Sequence, residues 1–175
     1  LQLFPQDPKI KNIIYKIVYL LYNKDQLQEA SARFRAVIAL DPGSTEAEQA
    51  ANLILDSFAL AKDWKNLADV SKVFYDQLGL GSKAFKAEVY GVYENASLKR
   101  IEAELADNGL KRPAADAWLR FAADFPSSKN ADLALNNAAA TYDQLGDLTQ
   151  SMVARQALVD HFPASRFYAD AVAGL

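Results

Sequence analysis

The chain has no cysteine, one histidine, one methionine, seven glycines and six prolines in 175 residues. Without cysteine there is no disulfide and no thiolate metal site, a composition that suits either a cytoplasmic or an envelope protein. A single histidine, His161, excludes a histidine-based metal cluster or a relay between two histidines. Basic clusters are also missing. Lys99-Arg100 and Lys111-Arg112 are isolated pairs, and the net charge of −3 does not suit a phosphate-binding surface. No apolar run reaches the roughly 18–20 residues that a membrane span needs. The nearest, Ile13 to Tyr22, is interrupted by Lys16 and reads as a buried helix. There is no glycine-rich phosphate loop and no nucleophile motif, and carboxylates such as Glu102, Glu104 and Asp107 are scattered on helix surfaces. No catalytic residue, metal or cofactor is therefore assigned, and the chain is read as not an enzyme. It opens on Leu1 with no signal peptide, as a processed chain or an excised segment would.

What is present is alanine, 51% hydrophobic residues and 23% charged ones, the balance of an ordinary folded domain. The few Pro and Gly residues fall at regular places, which favours helices joined by short turns. Leu3-Phe4-Pro5, Asp41-Pro42-Gly43-Ser44, Phe125-Pro126-Ser127-Ser128 and Phe162-Pro163-Ala164-Ser165 recur as one kind of break. Pro5 to Pro42 and Pro126 to Pro163 are both 37 residues, and 37 on from Pro42 falls on Gly79. A second kind of break lies between these, at Asn23-Lys24-Asp25, Ala61-Lys62-Asp63, Asp107-Asn108-Gly109 and Leu145-Gly146-Asp147. From each of these turns to the next closing break (Asp25 to Pro42, Lys62 to Gly79, Gly109 to Pro126, Gly146 to Pro163) the interval is 17 residues. Each unit is thus a first helix, a tight polar turn, a second helix of constant length and a closing break. Apolar residues inside the units recur every three to four positions, as in Ile13/Ile14, Ile17/Val18 and Leu21. Closing prolines end second helices, and Ser44, Ser128 and Ser165 are placed to cap the helices that follow.

The third unit departs from the pattern. Gly79 to Pro126 is 47 residues, so ten extra residues belong to its first helix, between about Ser82 and Asp107. Phe85, Val89, Val92 and Ala96 share one face of that helix, Leu98, Ile101 and Leu105 the opposite one, so the apolar stripe is expected to change sides near Ser97. With no proline inside it, and with Gly91 alone tolerated at about 1 kcal/mol, one continuous helix is preferred over a break at Asn95–Ser97.

A helix-turn-helix unit with a small residue early in its second helix, an aromatic four residues on and a closing proline resembles a tetratricopeptide repeat (TPR). Ala30, Phe34 and Pro42 carry the resemblance in the first unit, and Ala114, Trp118 and Pro126 in the third. The fourth has Tyr142, Gly146-Asp147, Ser151 and Pro163, with Arg155 in place of the aromatic. The second is degenerate, with Leu67, Ser71 and Gly79. The resemblance implies an all-α fold: an α-solenoid of about four TPR-like hairpins in a right-handed superhelix, plus a C-terminal helix. The chain 1–175 is then a single repeat domain with units near 8–42, 45–79, 82–126 and 129–163, and a partial unit or capping helix over 165–175. The Phe-Pro-x-Ser breaks and the period nearer 37 are similar to those of bacterial envelope TPR proteins, which implies a periplasmic or outer-membrane-associated location, with the cytoplasm as the alternative.

By the same resemblance the chain is a non-catalytic scaffold that binds a peptide or protein on the concave surface lined by first helices. The groove positions expected are Asn12, Tyr15, Tyr19, Asn23, Asn52, Asp56, Tyr90, Tyr93, Asn136 and Asp143. Asn can donate to and accept from an extended peptide backbone, and Tyr supplies apolar area with a polar tip. Tyr15, Tyr19 and Tyr22 can equally be packing residues. Self-association through terminal helices is a further partner interaction to consider. The alternatives are a structural spacer or self-assembly module with an empty groove, or an accessory part of a larger enzyme.

Overall fold

The computed structural model describes residues 27–108 and 112–175, with side chains over 34–105 and 112–175. Among the described residues every regular element is an α-helix. In chain order these are α1 (Leu27–Leu40), α2 (Thr45–Leu60), α3 (Trp64–Asp76), α4 (Lys83–Asn108), α5 (Arg112–Asp124), α6 (Ala131–Gln144), α7 (Leu148–His161) and α8 (Tyr168–Ala173). No helix of the described residues is long and apolar enough to cross a membrane. The chain divides into two compact units, one ending at Tyr93 and the other running from Glu94 to Leu175.

The second helices expected from the constant 17-residue interval are α1, α3, α5 and α7, of 14, 13, 13 and 14 residues. The turns in front of α3 and α7 are built alike. Lys62 and Gly146 take positive φ, 54° and 72°, and the aspartate that follows caps the helix. Asp63 accepts from the Asn66 N–H and Asp147 from the Gln150 N–H, each at 3.2 Å. Glycine reaches this left-handed conformation freely, whereas lysine is strained in it.

In the first compact unit α1 packs on α2 and α2 on α3. Ala47, Ala50 and Ala51 let α2 lie close to its neighbours, and Ile54, Leu55, Leu67, Val70 and Phe74 fill the interior. The closing segments are stitched together, the Gly81 N–H donating to the Pro42 carbonyl at 2.9 Å. Lys86, one turn into α4, donates to the carbonyls of Phe74, Tyr75 and Gln77 at 2.6–2.7 Å, satisfying the end of α3. Burial holds its ammonium below the usual lysine range, opposed by nearby Asp76.

In the second unit α5 packs on α6, α6 on α7, and α7 on α8. The helices again meet through alanine, as at Ala114, Ala115, Ala131, Ala134 and Ala138, while Trp118, Phe121 and Phe125 supply the bulk. Phe121 and Phe125, one turn apart, pack ring against ring in a tilted arrangement, 4.9 Å between centroids.

α4 is one uninterrupted helix of 26 residues, ten longer than the 16-residue α2. That places the extra residues where the spacing put them. Its buried face, however, does not jump at Ser97. Phe85, Val89, Tyr93, Ser97 and Ile101 are all buried, every fourth residue. A step of four residues advances 400° around the helix, so the stripe winds by about 40° per step and reaches nearly the opposite side, about 160° from Phe85, by Ile101. The side changes as expected, but gradually. Tyr93 and Ser97 are the two links missed when only aliphatic residues are followed.

Candidate functional site

The surface to test is that of the first helices, α2, α4 and α6, and one contact recurs on all three. Glu48 on α2 accepts the backbone N–H of Ser82 at 2.5 Å. Glu94 on α4 accepts the Ser128 hydroxyl at 2.6 Å, and Asp132 on α6 accepts the Ser165 hydroxyl at 2.7 Å. The partners are 34, 34 and 33 residues apart. An acid on each first helix is thus tied to the serine that opens the next repeat, through a charge-assisted hydrogen bond. The spacing is nearly constant although the third unit is longer, because Glu94 lies eleven residues into α4 and Glu48 only three into α2.

This latch corrects one expectation about the serines. Ser44 caps α2 as expected, accepting from the Ala47 N–H at 3.1 Å. Ser128 and Ser165 do not cap. Two more residues separate them from α6 and α8, and their hydroxyls accept from Asn130 and Phe167 N–H in a tight turn while donating to the acid. The residue before α6, Asn130, makes no side-chain cap.

Of the groove positions expected from sequence, Asn12, Tyr15, Tyr19 and Asn23 lie outside the described residues. Asn52 and Asp56 are exposed, one turn apart on the outer face of α2. Tyr90 is half-buried, its ring 5.1 Å from that of Tyr75 at an interplanar angle of 49°. Tyr93 is only 8% exposed and has the Lys72 ammonium 5.6 Å above its ring. It belongs to the packed stripe of α4, so it offers no area to a partner.

Asn136 and Asp143 come together around one residue, Arg155. Arg155 holds Asp143 with two hydrogen bonds, at 3.1 and 2.6 Å, and also donates to Ser151. Asn136, Arg155, Asp170 and Ala171 line a cleft of about 50 Å³, room for a water or two and far below a small-molecule site. The paired guanidinium holds the Asp143 carboxyl below the usual carboxylate range, against the effect of burial. Arg155 occupies the place of the expected aromatic, and a side chain at Gly174 would run into it.

A second polar network joins the starts of α5 and α7. Arg112 pairs with Asp147 and lies over the Tyr142 ring, and the Tyr142 hydroxyl donates to Asp116 at 2.6 Å. Burial, reinforced by Asp116, pushes the Tyr142 phenol well above its ordinary range. Sequence spacing missed both networks because each joins residues 12 to 35 apart on different helices. His161 stands exposed in the last turn of α7, where a cation suits the helix dipole. It borders an open cleft of about 350 Å³ with Lys129, Asp132 and Phe162.

In comparison with known proteins, no family model matches the chain and no curated protein matches it.

Proposed function

We propose that this chain is a non-catalytic scaffold of the TPR type, an α-solenoid whose hairpins coil into a right-handed superhelix and hold a protein or peptide on the first-helix face. The observation that carries the reading is the latch, repeated three times at 33–34 residues. It ties each first helix to the opening of the next repeat at a nearly constant sequence separation, which a surface built from successive first helices requires. Second helices of nearly equal length add to this regularity. Asn52 and Asp56 are the described positions best suited to a partner, since both are exposed polar residues on one face of α2. A place in a bacterial envelope complex is part of the same reading and rests on the sequence resemblance.

The test is site-specific photocrosslinking of the full chain in its host. A photoreactive residue at Asn52 or Asp56 should give a discrete adduct with one partner, while the same residue at Lys65, exposed on α3, should not. Equal labelling at the three positions, or none at Asn52 and Asp56, would exclude the first-helix face as the binding surface.

A further inference from the structure

Charge is divided between the two kinds of helix. α2 carries three acids and no cation, and α6 two acids and no cation. α3 and α5 carry two of each sign, and α7 has one arginine against one aspartate, with His161 at its end. α4, with five acids to four cations, leans the same way as the other first helices. These second helices are thus balanced, and the first helices are negative.

Most of the acids on α2 and α6 are accounted for within the fold. Glu46, Glu48 and Asp132 sit in first turns, where negative charge suits the helix dipole. Glu48 and Asp132 also hold the latch, and Asp143 is paired with Arg155. Asp56 is different. It stands exposed in the second half of α2, and the residues three and four away, Asn52, Leu53, Ala59 and Leu60, are all uncharged. On α3, by contrast, Asp76 has the Lys72 ammonium one turn away at 3.1 Å. Among the described residues Asp56 makes no ion pair.

Asn52, Asp56 and Leu60 follow at intervals of four, and all three are exposed, Leu60 at 68%. α2 thus presents an amide, an unopposed carboxylate and an aliphatic side chain in one stripe, about 12 Å long. A segment that matches the stripe brings a lysine or arginine to Asp56 and an apolar residue to Leu60, with backbone groups in reach of the Asn52 amide. An acidic segment would meet like charge on a helix that has no cation to offer it.

We infer that the partner of the first-helix face is a basic peptide segment, whose cation pairs with Asp56 and whose neighbouring apolar side chain packs on Leu60. This rests on the first-helix reading above and adds the partner's chemistry to it. Fluorescence anisotropy of the full chain at low salt tests it with two labelled peptides, one built of Lys, Leu and Gly, the other with Glu in place of Lys. The lysine peptide is expected to bind about tenfold tighter or more. Asp56→Lys should cut that preference about tenfold, and Leu60→Ser should weaken the lysine peptide about tenfold. Asp160→Lys, the same change of net charge on α7, should leave both peptides within about twofold of wild type. All three sites are exposed, so Tm should stay unchanged. No binding of the lysine peptide up to about 1 mM would overturn the inference, as would equal binding of the two peptides or equal effects of Asp56→Lys and Asp160→Lys. Photocrosslinking from Asn52 separates this failure from failure of the face itself. An adduct undiminished in Asp56→Lys removes the basic partner and leaves the first-helix face standing, whereas no adduct from Asn52 or Asp56 in the otherwise wild-type chain removes both.

Discussion

α5 and α7 occupy the same place in successive repeats, 37 residues apart, and are held by different forces. α5 turns Trp118, Phe121 and four alanines into the interior. At the matching positions α7 has Arg155 for Trp118, Leu158 for Phe121 and Met152 for Ala115. Where the centre of α5 is an apolar indole, the centre of α7 is Arg155. It pairs with Asp143 of α6, is steadied by a hydrogen bond to Ser151 within α7 and lies close to Gly174, while Ala154 and Leu158 keep α7 an apolar inner side. One backbone geometry therefore tolerates two chemistries at its central position. The apolar version takes more free energy from water, about 25 cal/mol per Å² of apolar surface, while an ion pair this exposed gains little.

Truncation should show the difference directly. Trp118→Ala is expected to cost about 3–5 kcal/mol, as for other buried aromatics, and to lower Tm sharply in thermal unfolding followed by circular dichroism. A loss below about 1 kcal/mol would mean that α5 is not anchored by its indole.

The matching change in α7, Arg155→Gln, should cost about 1 kcal/mol or less, since a third of Asp143 remains in water. Its pH dependence sharpens the comparison. The Asp143 carboxyl is held below its usual range by Arg155, so the stability it contributes is present above the unfolded-state pKa, about 4, and is lost as pH falls through the lowered native value. The Tm gap between wild type and Arg155→Gln should be full above about pH 5 and close below it. The gap between wild type and Trp118→Ala should show no such closure.

The smallest expected effect is at the turns. Lys62 and Gly146 fill equivalent left-handed positions, and Lys62→Gly should stabilise the chain by roughly 0.5–1 kcal/mol by relieving strain, less whatever the added unfolded-state freedom offsets. Chemical denaturation resolves a shift of that size, and a destabilised variant would refute the strain.

The features legible in the sequence are those that depend on neighbours along the chain. Turn residues and closing prolines announced where α3, α5 and α7 run, and ten surplus residues announced a longer α4. The winding of the α4 face escaped because Tyr93 and Ser97 are polar in type and apolar in role there. Ser128 and Ser165 looked like caps because Ser44 is one; only the folded chain shows that two more residues delay the helix. Arg155 was visible as the residue that breaks the aromatic pattern. Its partner was not, because Asp143 reaches it from the preceding helix. For the candidate site, exposure sorted the positions: Asn52 and Asp56 remain open, whereas Tyr93 and Asp143 are engaged within the fold.

The repeated acid–serine latch underlies the proposal that successive first helices form one surface, and double-mutant cycles measure it. Glu94→Gln with Ser128→Ala, and separately Asp132→Asn with Ser165→Ala, should each give a coupling energy of about 1 kcal/mol, with the two values within about 0.5 kcal/mol of each other. Coupling near zero in either pair would contradict the account, because the repeats would then share a spacing without sharing the contact that sets it.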